Sequence, residues 1–501
     1  MRTLQRSWRG RGRTSRDPAV YAGVLGLSCS LLALASWRIL AGWYSLFDHY
    51  ATPGFAFDKI PGHFASWTIR YTLVLFLALT LVYAGIYLLI KEVARISGSL
   101  KLAAILMIVG SGLANIVIYP VAAIDVFYYL AQFKLVYHYH QNPYLVTFMP
   151  AFEADPLARL GWPLQVPPAY GPAWLLILGG PTNVAGSGNL IRLLLTYKAL
   201  SFMFVLVAGL IIFKYQDEEK SGWLGAFAFL ANPLIWFESV ANAHNDLIMT
   251  VFLLGAMLAL KRRSWLVLPL LALAALIKVF AVVLVPLFLL EIYRARWRRK
   301  DFIVSALLAC GVVIVMMAPF WAGGRMLGGM LRGMEFANDL RTASVVSLTM
   351  EYLDLRHASP AALSVARLVF AGLFLMSSAL IMWKSRRFER SLVYVLLLFY
   401  MLVGSLNPWY FIPIIALLAC RQGRAGTGYL FVVTALGLII YQVDLWARFN
   451  TNLVPFHRQV AGVLFLLLPM IGFLAVEMWL GVSASRRGAG NNSTRPQLLD
   501  G

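Results

Sequence analysis

The chain has little charge for its length and very little cysteine. Only 13% of its 501 residues are charged and 60% are hydrophobic, whereas a typical soluble domain is about 25% charged. The three cysteines, Cys29, Cys310 and Cys420, lie inside apolar runs and form no spacing motif, so neither a disulfide framework nor a cysteine metal site is expected. This composition excludes a soluble domain and predicts an all-α polytopic integral membrane protein.

Several motifs of well-known enzyme classes are missing. The sequence has no G-x-x-x-x-G-K-[ST] loop, no H-E-x-x-H pair and no G-x-S-x-G elbow, so ATP-driven transport, zinc proteolysis and serine hydrolysis have no support. No repeat of fixed period is present. The N-terminal stretch does not have the shape of a cleavable signal peptide, so a retained first helix is expected.

Acidic residues are scarce relative to basic ones. The sequence has 22 Asp and Glu against 43 Lys and Arg, which gives a net charge of +21. When the N-terminus is placed in the cytoplasm, most basic residues fall in short inside loops, as the positive-inside rule expects. The excess of basic residues is therefore explained by membrane topology and by contact with anionic lipid head groups, and it does not indicate a nucleic-acid partner.

Long apolar runs define the domain organisation. About twelve to fourteen transmembrane helices are expected, although some runs are shorter than the roughly 20 residues of a full span. The runs lie at 19–41, 69–90, 101–121, 190–213, 222–239, 247–261, 264–277, 279–292, 302–321, 361–383, 391–406, 409–421, 427–444 and 459–482. They predict a basic cytoplasmic arm at 1–18, one membrane domain at 19–482 and a disordered cytoplasmic tail at 483–501.

The four longer and more polar connecting segments lie on the outer face of this predicted topology. They are 42–68, 122–189, 322–360 and 445–458. The segment 122–189 follows the third span, and its apolar piece after Pro172 is too short to cross a bilayer, so interfacial helices are expected there. Both termini are expected in the cytoplasm and the active site on the extracytoplasmic face of the cell membrane.

The stretch 123–144 begins with an acid and is rich in aromatic residues and His. As a helix it would place Asp125, Tyr128, Tyr129 and Gln132 on one face. A carboxylate in a partly dry aromatic setting can act as a general base. The alternative is an exposed acid just past a helix end.

A dense polar cluster, FESVANAHND, lies at 237–246 between two apolar spans. As a helix it would place Glu238, Asn242 and Asn245 on one face, with His244 and Asp246 flanking them. Polar groups at membrane depth are costly and commonly functional. The cluster could bind sugar hydroxyls or a divalent metal, and the alternative is a polar turn that caps the next helix.

Two further features lie on the predicted outer face. Lys278 is a lone cation between two short apolar helices, where it could meet a lipid phosphate or only snorkel to the interface. Trp409 and Tyr410, which follow Pro408, could belong to a functional site. The alternative is that they form an interfacial aromatic belt.

The order of these motifs resembles that of a known family. The motifs are Asp125, Asn142-Pro143-Tyr144, Tyr170-Gly171-Pro172, His244-Asn245-Asp246, Ala275-Leu276-Ile277-Lys278 and Pro408-Trp409-Tyr410. They resemble the GT-C fold glycosyltransferases, multi-span enzymes that use polyprenyl-phosphate sugars. The nearest resemblance is to bacterial polyprenyl-phosphate-mannose-dependent mannosyltransferases, including the α-1,6 group and glycosyltransferase family 87, over roughly residues 100–420.

The resemblance implies transfer of a sugar, expected to be mannose, from a polyprenyl-phosphate donor to a hydroxyl of a cell-envelope glycan or glycolipid by inverting single displacement. Asp125 would be the general base and His244 a second candidate base, and Lys278 would contact the donor phosphate. The expected substrate-binding residues are Tyr128, Tyr129, Tyr170, Glu238, Asn245, Asp246, Lys278, Trp409 and Tyr410. No cofactor is expected to be required, and the sequence leaves a divalent metal open.

One departure from the family is that its catalytic acid commonly follows the first span, whereas Asp125 follows the third. Asp48 and Asp58, after the first span, are therefore rival candidates. A transporter or flippase of a polyprenyl-linked sugar is the alternative function, for which paired repeats with interrupted helices are expected. A scaffold for envelope assembly, whose polar clusters would tolerate alanine, is a third.

Overall fold

The computed structural model describes residues 42–51, 66–93, 96–120, 125–160, 164–186, 188–339, 344–385, 387–402, 404, 406–450, 460, 462–477 and 479. Within these ranges the regular structure is helical, with two isolated bridges that pair Ser45 with Ile118 and Ala322 with Gly324. The predicted all-α fold is confirmed. The predicted arm 1–18, the first span 19–41, Asp58 and the tail 483–501 lie outside the described residues.

Within the described residues, each apolar run predicted after residue 66 is helical, although the run 222–239 is divided by a bend and the run 279–292 begins with a 3₁₀ turn. The helices are α1 Leu46–His49, α2 Ser66–Glu92, α3 Gly98–Ile116, α4 Asp125–Tyr137, α5 Phe148–Ala151, α6 Gly180–Gly186, α7 Leu190–Tyr215, α8 Glu219–Leu230, α9 Pro233–Trp236, α10 Asp246–Lys261, α11 Val267–Ile277, α12 Val285–Arg294, α13 Arg299–Met317, α14 Gly324–Asp339, α15 Val345–Leu355, α16 Pro360–Lys384, α17 Phe388–Leu402, α18 Phe411–Arg421, α19 Arg424–Asn450 and α20 Gly462–Glu477. π-Helical turns span Leu175–Gly179 and Phe237–Ala241, and 3₁₀ turns span Pro156–Arg159, Val279–Leu284, Ala318–Phe320 and Pro408–Tyr410.

Five of the described helices are long and apolar enough to cross a membrane. They are α2, α3, α7, α13 with its 3₁₀ extension, and α16, and the pair α8–α9 is a sixth candidate that bends by 51°. Shorter apolar helices of 10–17 residues accompany them. The chain is therefore a polytopic membrane protein, and the total of twelve to fourteen spans stays a prediction because the first predicted span lies outside the described residues.

The bend between α8 and α9 has a local cause at Asn232. Its side-chain oxygen accepts hydrogen bonds from the backbone N–H groups of Leu234 and Ile235, at 2.9 and 3.4 Å, and Pro233 occupies the first position of α9. Both features favour the start of a new helix. The Asn232 amide also donates to the Thr434 hydroxyl at 2.7 Å. The bend therefore directs the segment 237–246 into the protein interior, where all of its residues are buried.

The helices form an inner group and a lipid-facing group. Helix α7 packs against α6, α8 and α10, and α10 packs in turn against α11. Helices α13 and α16 bury only a small part of their surfaces inside the protein. Because these two helices are strongly apolar, their exposed faces suit contact with lipid tails.

Candidate active site

The site is centred on His244, whose imidazole lies between two carboxylates. Its Nε2 is 3.5 Å from Oδ2 of Asp125, and its Nδ1 is 3.0 Å from Oε2 of Glu238. Asp125 is the first residue of α4, and Glu238 belongs to the π-helical turn 237–241. The structure thus brings together two acids that are 113 positions apart in the sequence.

The backbone around His244 turns back sharply after the π-helical turn. Ala243 has φ of 57°, in the left-handed region, and the His244 N–H donates to the carbonyl of Glu238 at 2.9 Å. A non-glycine residue in this region costs energy and is commonly held there by surrounding contacts at functional sites. The turn explains why His244, rather than a residue further along a helix, contacts Glu238.

The expected helical face of the polar cluster is present only in part. The Asn242 amide donates to Oε2 of Glu238 at 3.3 Å, one helical turn away. The helix ends before Asn245, whose Oδ1 instead accepts from the Tyr129 hydroxyl at 3.5 Å. The predicted alignment of Asn245 with Glu238 is therefore replaced by a contact between Asn245 and α4.

Lys278 forms a buried ion pair with Asp246. Its Nζ lies 2.5 Å from Oδ2 of Asp246, and the lysine side chain is only 5% exposed. Three aromatic rings surround the ammonium, those of Tyr410, Tyr170 and Phe280, with centroids at 5.1, 5.4 and 5.9 Å. Ring faces at these distances attract a cation, so the ammonium is held by one carboxylate and three rings.

Gly171 allows the loop that carries Tyr170 to approach α11 closely. A Cβ atom added at Gly171 would lie 2.3 Å from the carbonyl oxygen of Leu276, which is well inside van der Waals contact. Only glycine fits such a backbone approach. The close approach at Gly171 therefore allows the Tyr170 ring to lie beside Lys278.

Three aromatic rings surround the ring of Tyr129. They belong to Trp174, Tyr170 and Tyr197, at centroid distances of 5.2, 5.7 and 6.1 Å. Trp174 and Tyr197 are additions to the expected set, and both lie in apolar helical stretches that gave no site signal. Tyr128 is buried beside Tyr129, with its ring at 6.4 Å.

Trp409 and Tyr410 lie inside the site. The Trp409 ring stacks on the His244 imidazole, with centroids 4.0 Å apart, and Tyr410 stacks on Tyr400 at 5.4 Å. The alternative of an interfacial belt does not describe Trp409, because one face of its indole covers the imidazole between the two carboxylates.

The Asn142-Pro143-Tyr144 motif connects segments that are distant in the sequence. The Asn142 amide donates to the carbonyl of Phe320 at 2.7 Å, and its oxygen accepts from the Tyr144 N–H at 3.0 Å. The Tyr144 hydroxyl donates to the carbonyl of Tyr170 at 2.9 Å. The motif therefore supports the loop that carries Tyr170.

The pKa of His244 is set by opposing effects. The residue lies in the connection between the π-helical turn and α10, outside the membrane-spanning segments. Burial disfavours the charged imidazolium, but the adjacent Asp125 and Glu238 carboxylates outweigh burial and raise the pKa to about 9. His244 is therefore positively charged at neutral pH.

Exposure distinguishes the acids of the cluster. The Asp125 side chain is 29% exposed, whereas those of Glu238 and Asp246 are fully buried. Asp48 is exposed in the short helix α1, and it is Asp125 that contacts His244. Among the described residues no group of three His, Cys, Asp or Glu side chains has the geometry to hold a metal ion.

A groove with a volume of about 870 Å³ lies beside Lys278. Tyr170, Lys278 and Tyr410 line it where it meets the cluster. Its remaining walls are mostly apolar and come from the 3₁₀ turn 279–284 and from α14, α15, α16 and α17. An apolar groove that begins at a cation suits an amphipathic ligand with an anionic head and a hydrocarbon tail.

Comparison with known proteins identifies the family. A model described as the N-terminal domain of alpha-(1->6)-mannopyranosyltransferases, the MptA_B family, matches residues 22–294. No curated protein and no solved structure matches the chain. The matched region carries Asp125, Glu238, His244, Asp246 and Lys278, and it covers more than half of the sequence. The suspected family and the expected glycosyltransferase activity are confirmed: the chain belongs to the MptA_B family of α-(1→6)-mannosyltransferases.

Proposed function

We propose that this mannosyltransferase takes mannose from a polyprenyl-phosphate donor and attaches it to a hydroxyl of a cell-envelope glycan or glycolipid. The observation that carries the proposal is the position of Asp125. It is the partly exposed carboxylate of an otherwise buried charged cluster, and it contacts His244. The same cluster reaches the apolar groove through Lys278.

The donor would bind with its phosphate at Lys278 and its isoprenoid chain in the groove. An ammonium has three donors, and the described contacts of Lys278 use one of them on Asp246. Two donors can therefore serve phosphate oxygens. The apolar walls formed by α14 to α17 suit the hydrocarbon chain, and the lipid-facing position of α16 gives that chain a route from the bilayer.

The reaction would be a single displacement at the anomeric carbon. The acceptor hydroxyl oxygen forms the new bond to C1 of mannose while the bond from C1 to the phosphate oxygen breaks. The hydroxyl proton passes to the Asp125 carboxylate, and the polyprenyl phosphate leaves as an anion that Lys278 stabilises. Inversion follows from attack on the face opposite the phosphate, so an α-linked product requires a β-linked donor.

His244 would orient the base rather than act as one. A protonated imidazole can donate from both nitrogens, and its two nitrogens face Asp125 and Glu238. Neutral His244 would lose one of these donors and release Asp125 from its fixed orientation. The transfer rate is therefore expected to fall as the pH rises through about 9, the pKa of His244.

The reaction side and the acceptor are part of the same proposal. The Lys and Arg distribution supports an extracytoplasmic side for residues 122–189 and 237–246. The family description specifies an α-(1→6) linkage, so the nucleophile would be a primary 6-hydroxyl of an acceptor sugar. Both termini would then lie in the cytoplasm.

A donor comparison tests the proposal directly. Purified protein in lipid nanodiscs is mixed with a synthetic α-mannoside acceptor and either polyprenyl-phosphate-mannose or GDP-mannose. The expected result is a longer mannoside with the lipid donor and no product with the nucleotide donor. Transfer from GDP-mannose alone, or from neither donor, contradicts the proposal.

A further inference from the structure

Lys198 is a buried lysine that the proposed reaction does not use. It lies in the middle of α7 with its side chain fully buried. Its described partners are backbone carbonyls and include no carboxylate. Burying an amine in an apolar interior is costly unless its hydrogen bonds are satisfied, so these two contacts are the reason the residue can be accommodated.

The two carbonyls belong to distant parts of the chain. Nζ of Lys198 donates to the carbonyl of Ile118 at 2.8 Å and to the carbonyl of Ala241. Ile118 lies just after the end of α3, and Ala241 is the last residue of the π-helical turn. Carbonyls at helix ends lack partners within the helix, so they can accept hydrogen bonds from a side-chain donor.

The segment around Ile118 packs against the start of α4, the helix that carries Asp125. The neighbouring Tyr119 packs its ring against that of Phe127, with centroids 5.9 Å apart, and Phe127 lies in the first turn of α4. The Tyr119 N–H also donates to the carbonyl of Tyr44 at 2.7 Å. The segment that Lys198 holds is therefore fixed from two sides and supports the start of α4.

Ala241, the second hydrogen-bond partner of Lys198, begins the turn that carries His244. Two residues lie between Ala241 and His244, and one of them is Ala243 in its left-handed conformation. A strained turn keeps its geometry only when the surrounding contacts fix it. The contact of Lys198 with Ala241 fixes the residue where this turn begins.

We infer that Lys198 is a positioning residue that sets the spacing between Asp125 and His244. One side-chain amine joins the segment that precedes the proposed base to the segment that precedes its imidazole partner. The inference rests on the proposed function, because the spacing matters for catalysis only if Asp125 is the base. Lys198 touches neither substrate in this arrangement, so it acts through the 3.5 Å separation of Asp125 and His244.

The test compares Lys198→Met with Lys214→Met, an exposed lysine near the end of the same helix. Methionine is unbranched and only one atom shorter than lysine, and it removes the donors. The turnover rate of Lys198→Met is expected to fall by about 10- to 100-fold, because a misplaced base costs this much. The alkaline limb of its pH profile should move to lower pH, and the KM for the lipid donor should stay the same. Lys214→Met should match the wild-type protein in all three.

A purely structural role predicts a different result. Lys198→Met would then unfold at lower temperature but show wild-type turnover per folded molecule and an unchanged alkaline limb, which overturns the inference. If Lys198→Met does not fold, Lys198→Gln replaces it, because the shorter amide cannot reach both carbonyls. Folded Lys198→Gln with wild-type turnover and pH profile overturns the inference equally.

Asp125→Asn, measured in parallel, separates the two proposals. If Asp125→Asn retains full activity, the proposed mechanism is wrong whatever Lys198 does. If Asp125→Asn is inactive and Lys198→Met behaves like the wild-type protein, only the positioning role of Lys198 is wrong.

Discussion

Nε2 of His244 lies 3.5 Å from Oδ2 of Asp125, and the two side chains differ sharply in exposure. The imidazole is fully buried while the carboxylate is 29% exposed. A buried cation thus supports a carboxylate that substrate can reach. The roles are exchanged at Lys278, where the buried carboxylate of Asp246 pairs with an ammonium that lines the groove.

Protonation of His244 makes stability depend on pH. Its pKa is about 9 in the folded protein, above the ordinary value of about 6.5 for an unfolded chain. The stabilisation is therefore complete below pH of about 6.5 and is lost as the pH rises through about 9, with a total of about 3 kcal/mol. Thermal unfolding of the purified protein between pH 6 and pH 10, in steps of about one unit, measures this slope.

His244→Asn should remove most of this pH dependence, because no titrating group remains between Asp125 and Glu238. His138→Asn is the matched control, since His138 is exposed just after the end of α4 and should leave the slope unchanged. An identical slope in wild-type protein and His244→Asn contradicts the assignment of a protonated His244.

Removal of Lys278 should affect both stability and donor binding. Lys278→Met leaves Asp246 buried without its partner, which should lower the unfolding free energy by about 3–5 kcal/mol. The double variant Lys278→Met/Asp246→Asn should regain most of that stability but still show at least about a tenfold higher KM for the lipid donor, because the phosphate contact is gone. Steady-state kinetics and thermal unfolding of both variants measure the two effects separately.

Lys300→Met, an exposed residue in the first turn of α13, is the control for loss of a positive charge. If the double variant binds the donor like the wild-type protein, Lys278 serves only to neutralise Asp246 and the phosphate assignment is wrong.

A bulky side chain in the groove should discriminate between donors by chain length. Ala371→Trp fills part of the groove from α16 and should raise the KM for a long-chain donor by about tenfold, equivalent to about 1.4 kcal/mol of binding free energy. A short-chain analogue should be less affected. Ala379→Trp, exposed on the same helix and outside the groove, should bind both donors normally. Equal effects of Ala371→Trp on both donors would mean that the isoprenoid chain lies elsewhere.

The sequence alone predicted much of the fold and several of the residues that the structure brings together in the candidate site. Apolar runs located the helices because a span must satisfy its own backbone hydrogen bonds. Asp125, His244, Asp246 and Lys278 stood out because ionisable groups are rare at membrane depth. The family and activity of the protein were predicted from the order of the motifs to which these residues belong.

The sequence did not predict how the polar cluster is arranged. The left-handed conformation of Ala243 reverses the chain so that His244 meets Glu238, and alanine carries no signal for that conformation. Trp174, Tyr197 and Lys198 were missed because they lie within apolar helices, where aromatic residues and a single lysine are ordinarily explained by packing or snorkelling. Their roles depend on contacts between distant segments.

The rate of mannose transfer by Asp125→Asn tests the central claim most directly. A single turnover of bound polyprenyl-phosphate-mannose with excess acceptor should be about 10²- to 10⁴-fold slower than in the wild-type protein, because the amide cannot accept the hydroxyl proton. Donor binding should be retained, since Lys278 and the groove are unchanged. Asp48→Asn, at the rival acid in α1, should transfer at the wild-type rate. Wild-type transfer by Asp125→Asn, or loss of transfer in Asp48→Asn alone, contradicts the assignment of Asp125 as the base.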